Sequence, residues 1–98
     1  MRLVIILMLA LPAVVVAAFD TANGRRLFEQ HCTGCHAPDG APTLPGAPDL
    51  RDADVLFKTD AEIIEVLRFG RRTMPGFEGL IDRRELLDVL DYLRSLDR

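Results

Sequence analysis

The sequence has no tryptophan, one tyrosine (Tyr92), one lysine (Lys58) and two cysteines, Cys32 and Cys35, only three residues apart. Two cysteines so close together close too small a loop to staple a domain, which excludes the multiple-disulfide framework of many small exported proteins. No excess of basic residues exists either. Lys and Arg total 12 against 15 Asp and Glu, a formal charge of −3, which argues against nucleic-acid binding. No stretch alternates as a strand would, so the βαβ context of a thioredoxin-like dithiol is missing around the cysteine pair. There is no internal repeat, and the one biased segment is rich in Pro and Gly.

The single long apolar run lies at the amino terminus. Met1-Arg2 precedes Leu3 to Leu11, then Pro12, then Ala13 to Ala18. A basic start, an apolar stretch and a small-residue end read as a secretory signal, with cleavage expected after Ala18. The competing reading is an uncleaved anchor, but Leu3 to Phe19 is 17 residues, short of the ~20 that a membrane-spanning helix needs. Either way the domain at 19–98 is expected outside the cytoplasm, periplasmic or otherwise exported. Removing residues 1–18, Arg2 among them, leaves 80 residues with a formal charge of −4. A polypeptide core is marginal at that size, so a bound prosthetic group is the expected supplement.

The remainder predicts an all-α fold. A first helix is expected from about Thr21 to His36, with Gly24, Phe28, Cys32 and Cys35 near one face. Gly24 is odd there, since Gly inside a helix costs about 1 kcal/mol relative to Ala; a close helix crossing would explain it. From Ala37 to Leu56 the chain carries Pro38, Pro42, Pro45 and Pro48 with Gly40 and Gly46, which predicts a loop without regular helix, wrapped around something. A second helix opens on the capping box Thr59-Asp60-Ala61-Glu62, presents Ile63, Val66 and Leu67, and stops at Gly70. A third begins at Asp82 and is expected to bury Leu86, Val89, Leu90, Leu93 and Leu96, with Tyr92 beside that stripe.

Cys32-Thr33-Gly34-Cys35-His36 fits C-x-x-C-H, the haem-attachment pattern. On a helical turn these positions share a face, so two thiols and one imidazole reach a single porphyrin. Cys32 and Cys35 would form thioethers, and the His36 imidazole would bind iron. A zinc site would need a fourth ligand, and the remaining histidine, His31, is expected to point elsewhere on the helix. A structural disulfide would leave the Pro-rich loop unexplained.

The opposite axial position has few candidates, because beyond the signal Met74 is the only methionine. It sits in Arg72-Thr73-Met74-Pro75-Gly76-Phe77, where Pro75 and Gly76 set a turn that aims the thioether; the alternative is a core methionine filling a gap. A His/Met pair raises the reduction potential and leaves no open position for substrate, so the expected activity is electron transfer between protein redox partners and not catalysis on a small molecule. Membrane contact is expected only if the amino-terminal segment is retained.

With these residues in order, the chain resembles the class I cytochromes c of the small bacterial kind over essentially all of residues 19–98. The landmarks are Gly24 with Phe28, Cys32 to His36, Gly46-Ala47-Pro48-Asp49-Leu50, and Met74-Pro75 followed by the last helix with Tyr92. The resemblance implies one covalent haem c, a crossing of the first and last helices at Gly24 with Phe28 and Tyr92 packed there, a Pro48 carbonyl accepting a hydrogen bond from His36, and Leu50 against the haem face. The lack of tryptophan and the short span from His36 to Met74 depart from the family and leave the propionate partners open. Arg71 and Arg72 are candidates for those propionates or for a docking rim, while a solvated helix end is the simplest account of both. Two further readings use the same residues: a haem subunit of a larger oxidoreductase, and a five-coordinate haem sensor or gas binder in which Met74 only packs.

Overall fold

The computed structural model describes residues 2–12 and 19–96; the expected cleavage site at Val16 to Ala18 lies outside the described residues. Residues 2–12 carry no helix, and Leu3 to Leu9 are exposed. Among the described residues no helix is long and apolar enough to cross a membrane. Four helices form: α1 (Thr21–His31), α2 (Ala53–Leu56), α3 (Asp60–Phe69) and α4 (Arg83–Ser95). No strand occurs among the described residues beyond two isolated bridges, so the architecture is all-α as expected.

Local chemistry sets most of the helix boundaries. Asp20, Thr59 and Asp82 each turn a side-chain oxygen onto the backbone N–H three residues on, at 2.9, 3.1 and 2.8 Å, and so start α1, α3 and α4. Gly70 ends α3 at φ 77°, a conformation that residues with a Cβ rarely adopt. Two expectations need correction. The first helix stops at His31, five residues early, because Cys35 and His36 pair with the following loop at Thr43 and Pro42. A short α2 also forms inside the span expected to hold no helix, because the prolines end at Pro48 and the stretch after Leu50 has neither Pro nor Gly.

The core lies where α4 meets α1 and α3. Leu86, Val89, Leu90 and Leu93 are buried as the helical spacing requires, whereas Leu96 is only partly covered. Tyr92 is buried rather than merely adjacent, and its ring packs on Phe28 at 5.3 Å between centroids. Asp88 is buried on the same helix. Its carboxylate accepts from the Asp20 backbone N–H at 2.9 Å and from the Asn23 amide at 3.0 Å, so it caps the positive end of α1 across the crossing.

Gly24 is the contact point. A Cβ built there would lie 2.0 Å from the Asp88 carbonyl oxygen and 3.0 Å from the Val89 nitrogen, both backbone atoms that cannot swing aside. Gly24→Ala regains about 1 kcal/mol of helix propensity. Prising two backbones apart forfeits the packing of a whole interface, at the upper end of the ~1–3 kcal/mol of overpacking or beyond it. The expected net loss is about 2 kcal/mol, read as a melting temperature lower by roughly 10 °C. Gly34, with nothing within 4 Å of its Cβ position, is the control, and Gly34→Ala is expected to be neutral to within ~0.5 kcal/mol. Equal melting of wild type and Gly24→Ala would mean that the crossing relaxes freely.

Candidate functional site

The segment after α1 keeps one helical turn without continuing the helix. The Cys32 N–H donates to the Phe28 carbonyl at 2.8 Å, and the His36 N–H to the Cys32 carbonyl at 3.0 Å. The latter bond spans four residues, so the spacing argument for Cys32, Cys35 and His36 survives the early end of α1. The chain then folds back: Thr43 N–H donates to the Cys35 carbonyl at 3.0 Å, Ala37 N–H to Ala41 at 2.7 Å, and His36 bridges Pro42. The Tyr92 hydroxyl donates to the Pro38 carbonyl, tying this return to α4.

These elements enclose a cavity of about 380 Å³, bounded also by α3, α4 and the turn at Met74. That volume falls within the ~300–1,000 Å³ of sites that hold a large organic ligand. Cys32, Cys35, His36, Pro48, Leu50 and Met74 all line it. Apolar residues dominate the rest, among them Val55, Ile63, Val66, Leu67 and Phe77. Phe77 was legible in principle, since it follows Met74-Pro75-Gly76; Val55 and Lys58 come from a stretch whose sequence carries no motif. His31 corrects an expectation. It also lines the cavity, on the same face of α1 as Phe28 three residues before it, and it meets the Phe77 ring edge-on at 5.7 Å.

His36 is buried, and its Nδ1 is the one fully buried side-chain nitrogen or oxygen without a hydrogen-bond partner among the described residues. Burial pushes the imidazole below its ordinary value and keeps it in the neutral form that binds metal; the Pro48 carbonyl opposes this more weakly. That carbonyl is close enough to act on the ring, yet no contact at Nδ1 meets hydrogen-bond geometry. An unpaired buried ring nitrogen costs ~1–3 kcal/mol. Fixing the ring by a metal at the other nitrogen and a carbonyl at Nδ1 is the usual remedy.

The two thiols are free, with no disulfide between them. Burial, and secondarily Cys35, push the Cys32 thiol up to about 11, so it stays protonated. Burial that holds Cys32 as the thiol works against the thiolate a redox dithiol needs. Two thiols, a neutral imidazole and an apolar cavity fit a haem group.

Met74 is positioned by backbone. Its N–H donates to the Arg71 carbonyl at 3.0 Å, and the Arg71 N–H returns to Met74 at 3.1 Å. The turn lies flat against the end of α3. A Cβ at Gly70 would meet the Met74 oxygen at 2.4 Å, and one at Gly76 the Arg68 oxygen at 2.5 Å. Phe77 and Glu78 N–H groups donate back to Leu67 and Arg68, both at 2.9 Å. Met74 is half-buried and packs against the core.

Comparison with known proteins agrees with this geometry. The chain is 30% identical over 80 residues to cytochrome c6 of a Nostoc species, covering 78% of this chain and 70% of that one. It is 31% identical over 91 residues to the cbb3-type cytochrome c oxidase subunit FixP of Bradyrhizobium diazoefficiens, spanning 81% of this chain but 31% of FixP. The crystal structure of cytochrome c6 from the diatom Phaeodactylum tricornutum superposes with a TM-score of 0.68 at 25% identity, over 80% of this chain and 94% of that one. Residues 19–93 match the family described as cytochrome c oxidase, cbb3-type, subunit III. The chain thus belongs to that family of c-type cytochromes, as a small class I member that carries one covalently bound haem c and serves electron transport.

Proposed function

We propose that this protein is a single-electron carrier whose haem is attached at Cys32 and Cys35 and ligated by His36 and Met74, working between protein partners in an exported compartment after loss of residues 1–18. One observation carries this reading: both thiols, the buried imidazole with its unpaired Nδ1, and the methionine of a backbone-clamped turn line the same apolar cavity. When bound, haem c supplies the one-electron iron couple. The chain's own residues keep water away with α3 and α4 side chains, hold His36 neutral, place Pro48 beside it and put Leu50 on the cavity wall. No residue of the cavity is assigned a catalytic role.

The test is expression with haem maturation, followed by absorption spectra of the oxidised and reduced protein after denaturing extraction. Haem that stays with the polypeptide and titrates reversibly with one electron is expected. Haem that extracts freely would overturn attachment at Cys32 and Cys35. The matches to FixP and to CcoP of Cereibacter sphaeroides, which this chain spans to 31% and 27% of their length, favour a second reading as the haem subunit of an oxidoreductase complex. That reading expects a stable complex with a catalytic subunit on isolation from the native source; the first expects a monomer.

A further inference from the structure

Charge is distributed unevenly around the cavity. Among the described residues no aspartate or glutamate lines it, although acidic residues outnumber basic ones 15 to 12 in the chain. Lys58, Arg71 and Arg72 do line it. Arg25, Arg26, Arg51, Arg68 and Arg94 all have carboxylate partners within 4 Å, whereas no ion pair among the described residues engages these three cations; Arg2, Arg83 and Arg84 share that state but do not line the cavity.

The arginine pair is not an appendage of the helix end, as its sequence position suggests. The α3 helix closes at Phe69 with Gly70 as cap, and its last turn is served by Arg68, which pairs with Glu78 and lies over the Phe69 ring. Arg71 and Arg72 come after the cap, in the turn that presents Met74. Arg72 sits at φ 56°, the one non-glycine residue at positive φ among the described residues. A long side chain in that region is strained where glycine would be at ease, and such outliers concentrate at functional positions.

Arg71 and Arg72 are exposed and Lys58 is half-buried, so the three stand at the rim of an apolar cavity, where an anion at its mouth would be attracted to all of them. Haem is an apolar ring with two carboxylates along one edge. Resting on the proposed function, we infer that Lys58, Arg71 and Arg72 bind those two propionate carboxylates. The residues that present Met74 then also hold the ring's charged edge, which gives the short span from His36 to Met74 its propionate partners.

The test uses the matured holo-protein, with Lys58→Gln, Arg71→Gln and Arg72→Gln beside Arg71→Lys and Arg72→Lys. Midpoint potential is followed from about pH 4 to pH 9, with infrared difference spectra reporting the carboxylates. A cation within ~4–6 Å lowers a carboxyl pKa by about one to three units, so each Gln variant is expected to move the propionate step up by that much. The Lys variants should keep the wild-type profile, which separates charge from packing. Covalent haem with unmoved carboxylate bands and an unmoved pH profile in all three Gln variants would overturn the inference alone. The inference also fails if those variants change only the salt dependence of electron exchange with an acidic protein. Wild-type chain that takes up no covalent haem would overturn the proposed function, and this inference with it.

Discussion

The Cys32→Ala/Cys35→Ala double variant is expected to lose its cooperative unfolding transition. An 80-residue domain at ~0.05–0.15 kcal/mol per residue holds only about 4–12 kcal/mol in total. A dry cavity of 380 Å³ at ~24 cal/mol per Å³ would cost about 9 kcal/mol, most or all of that stability. Flooding it instead wets the half-buried apolar residues of its wall, Leu50, Val55, Val66 and Met74 among them, at ~25 cal/mol per Å² of apolar surface. The loop from Ala37 to Leu50 has little of its own to replace the loss: Gly40 alone is buried in it. At the crossing of α1 and α4 neither Gly24 nor Asp88 lines the cavity, although Phe28 and Val89 do, so some helix should survive without a fixed tertiary structure. Urea titration followed by far- and near-ultraviolet circular dichroism checks this. A sigmoidal transition in both signals, with wild-type slope, would show that the polypeptide core suffices.

The parts of this fold legible in the sequence are those fixed by neighbours a few residues apart. Thr59 and Asp82 announce their helices because a cap reaches three residues; the heptad-like stripe of α4 announces its buried face; C-x-x-C-H announces its chemistry. Gly24 was legible as an anomaly, and Asp88, 64 positions on, supplies its reason. What stayed hidden depends on partners far along the chain. The early end of α1 follows from Thr43 and Pro42 pairing back onto Cys35 and His36. Asp88 looks like a solvated acid on a helix until Asp20 and Asn23 arrive beside it. His31 shares a face of α1 with Phe28, and only the place of the cavity beside that helix shows that this face lines it; Lys58, just past α2, lines it as well. Proline forbids helix at and just before its own position and not beyond it, so the bar set by the four prolines ends at Pro48 and leaves Ala53 to Leu56 free to coil.

Met74→Ala is expected to leave the fold standing and change the iron. The turn that presents Met74 is held by backbone: two hydrogen bonds between Arg71 and Met74, the close approaches at Gly70 and Gly76, and the return bonds to Leu67 and Arg68. None of these uses the Met74 side chain. Truncating a half-buried methionine costs less than the ~2–5 kcal/mol of a fully buried one, so the holo-protein should still fold. The oxidised protein should lose the weak red-edge charge-transfer band that reports sulfur on iron(III). Its reduced form should bind carbon monoxide rapidly without denaturant. Its potential should fall by roughly 0.1 V or more, within the ~0.8 V that axial ligation spans. Met74→His separates ligand identity from an open position: it should also lose the band and lower the potential, yet resist carbon monoxide. If wild type itself binds carbon monoxide at once and shows no such band, Met74 only packs, and the cavity belongs to a sensor. If both variants behave as expected, the clamped turn is what keeps the sixth position closed, and a haem shut to small ligands on both faces can do little except exchange electrons through its edge.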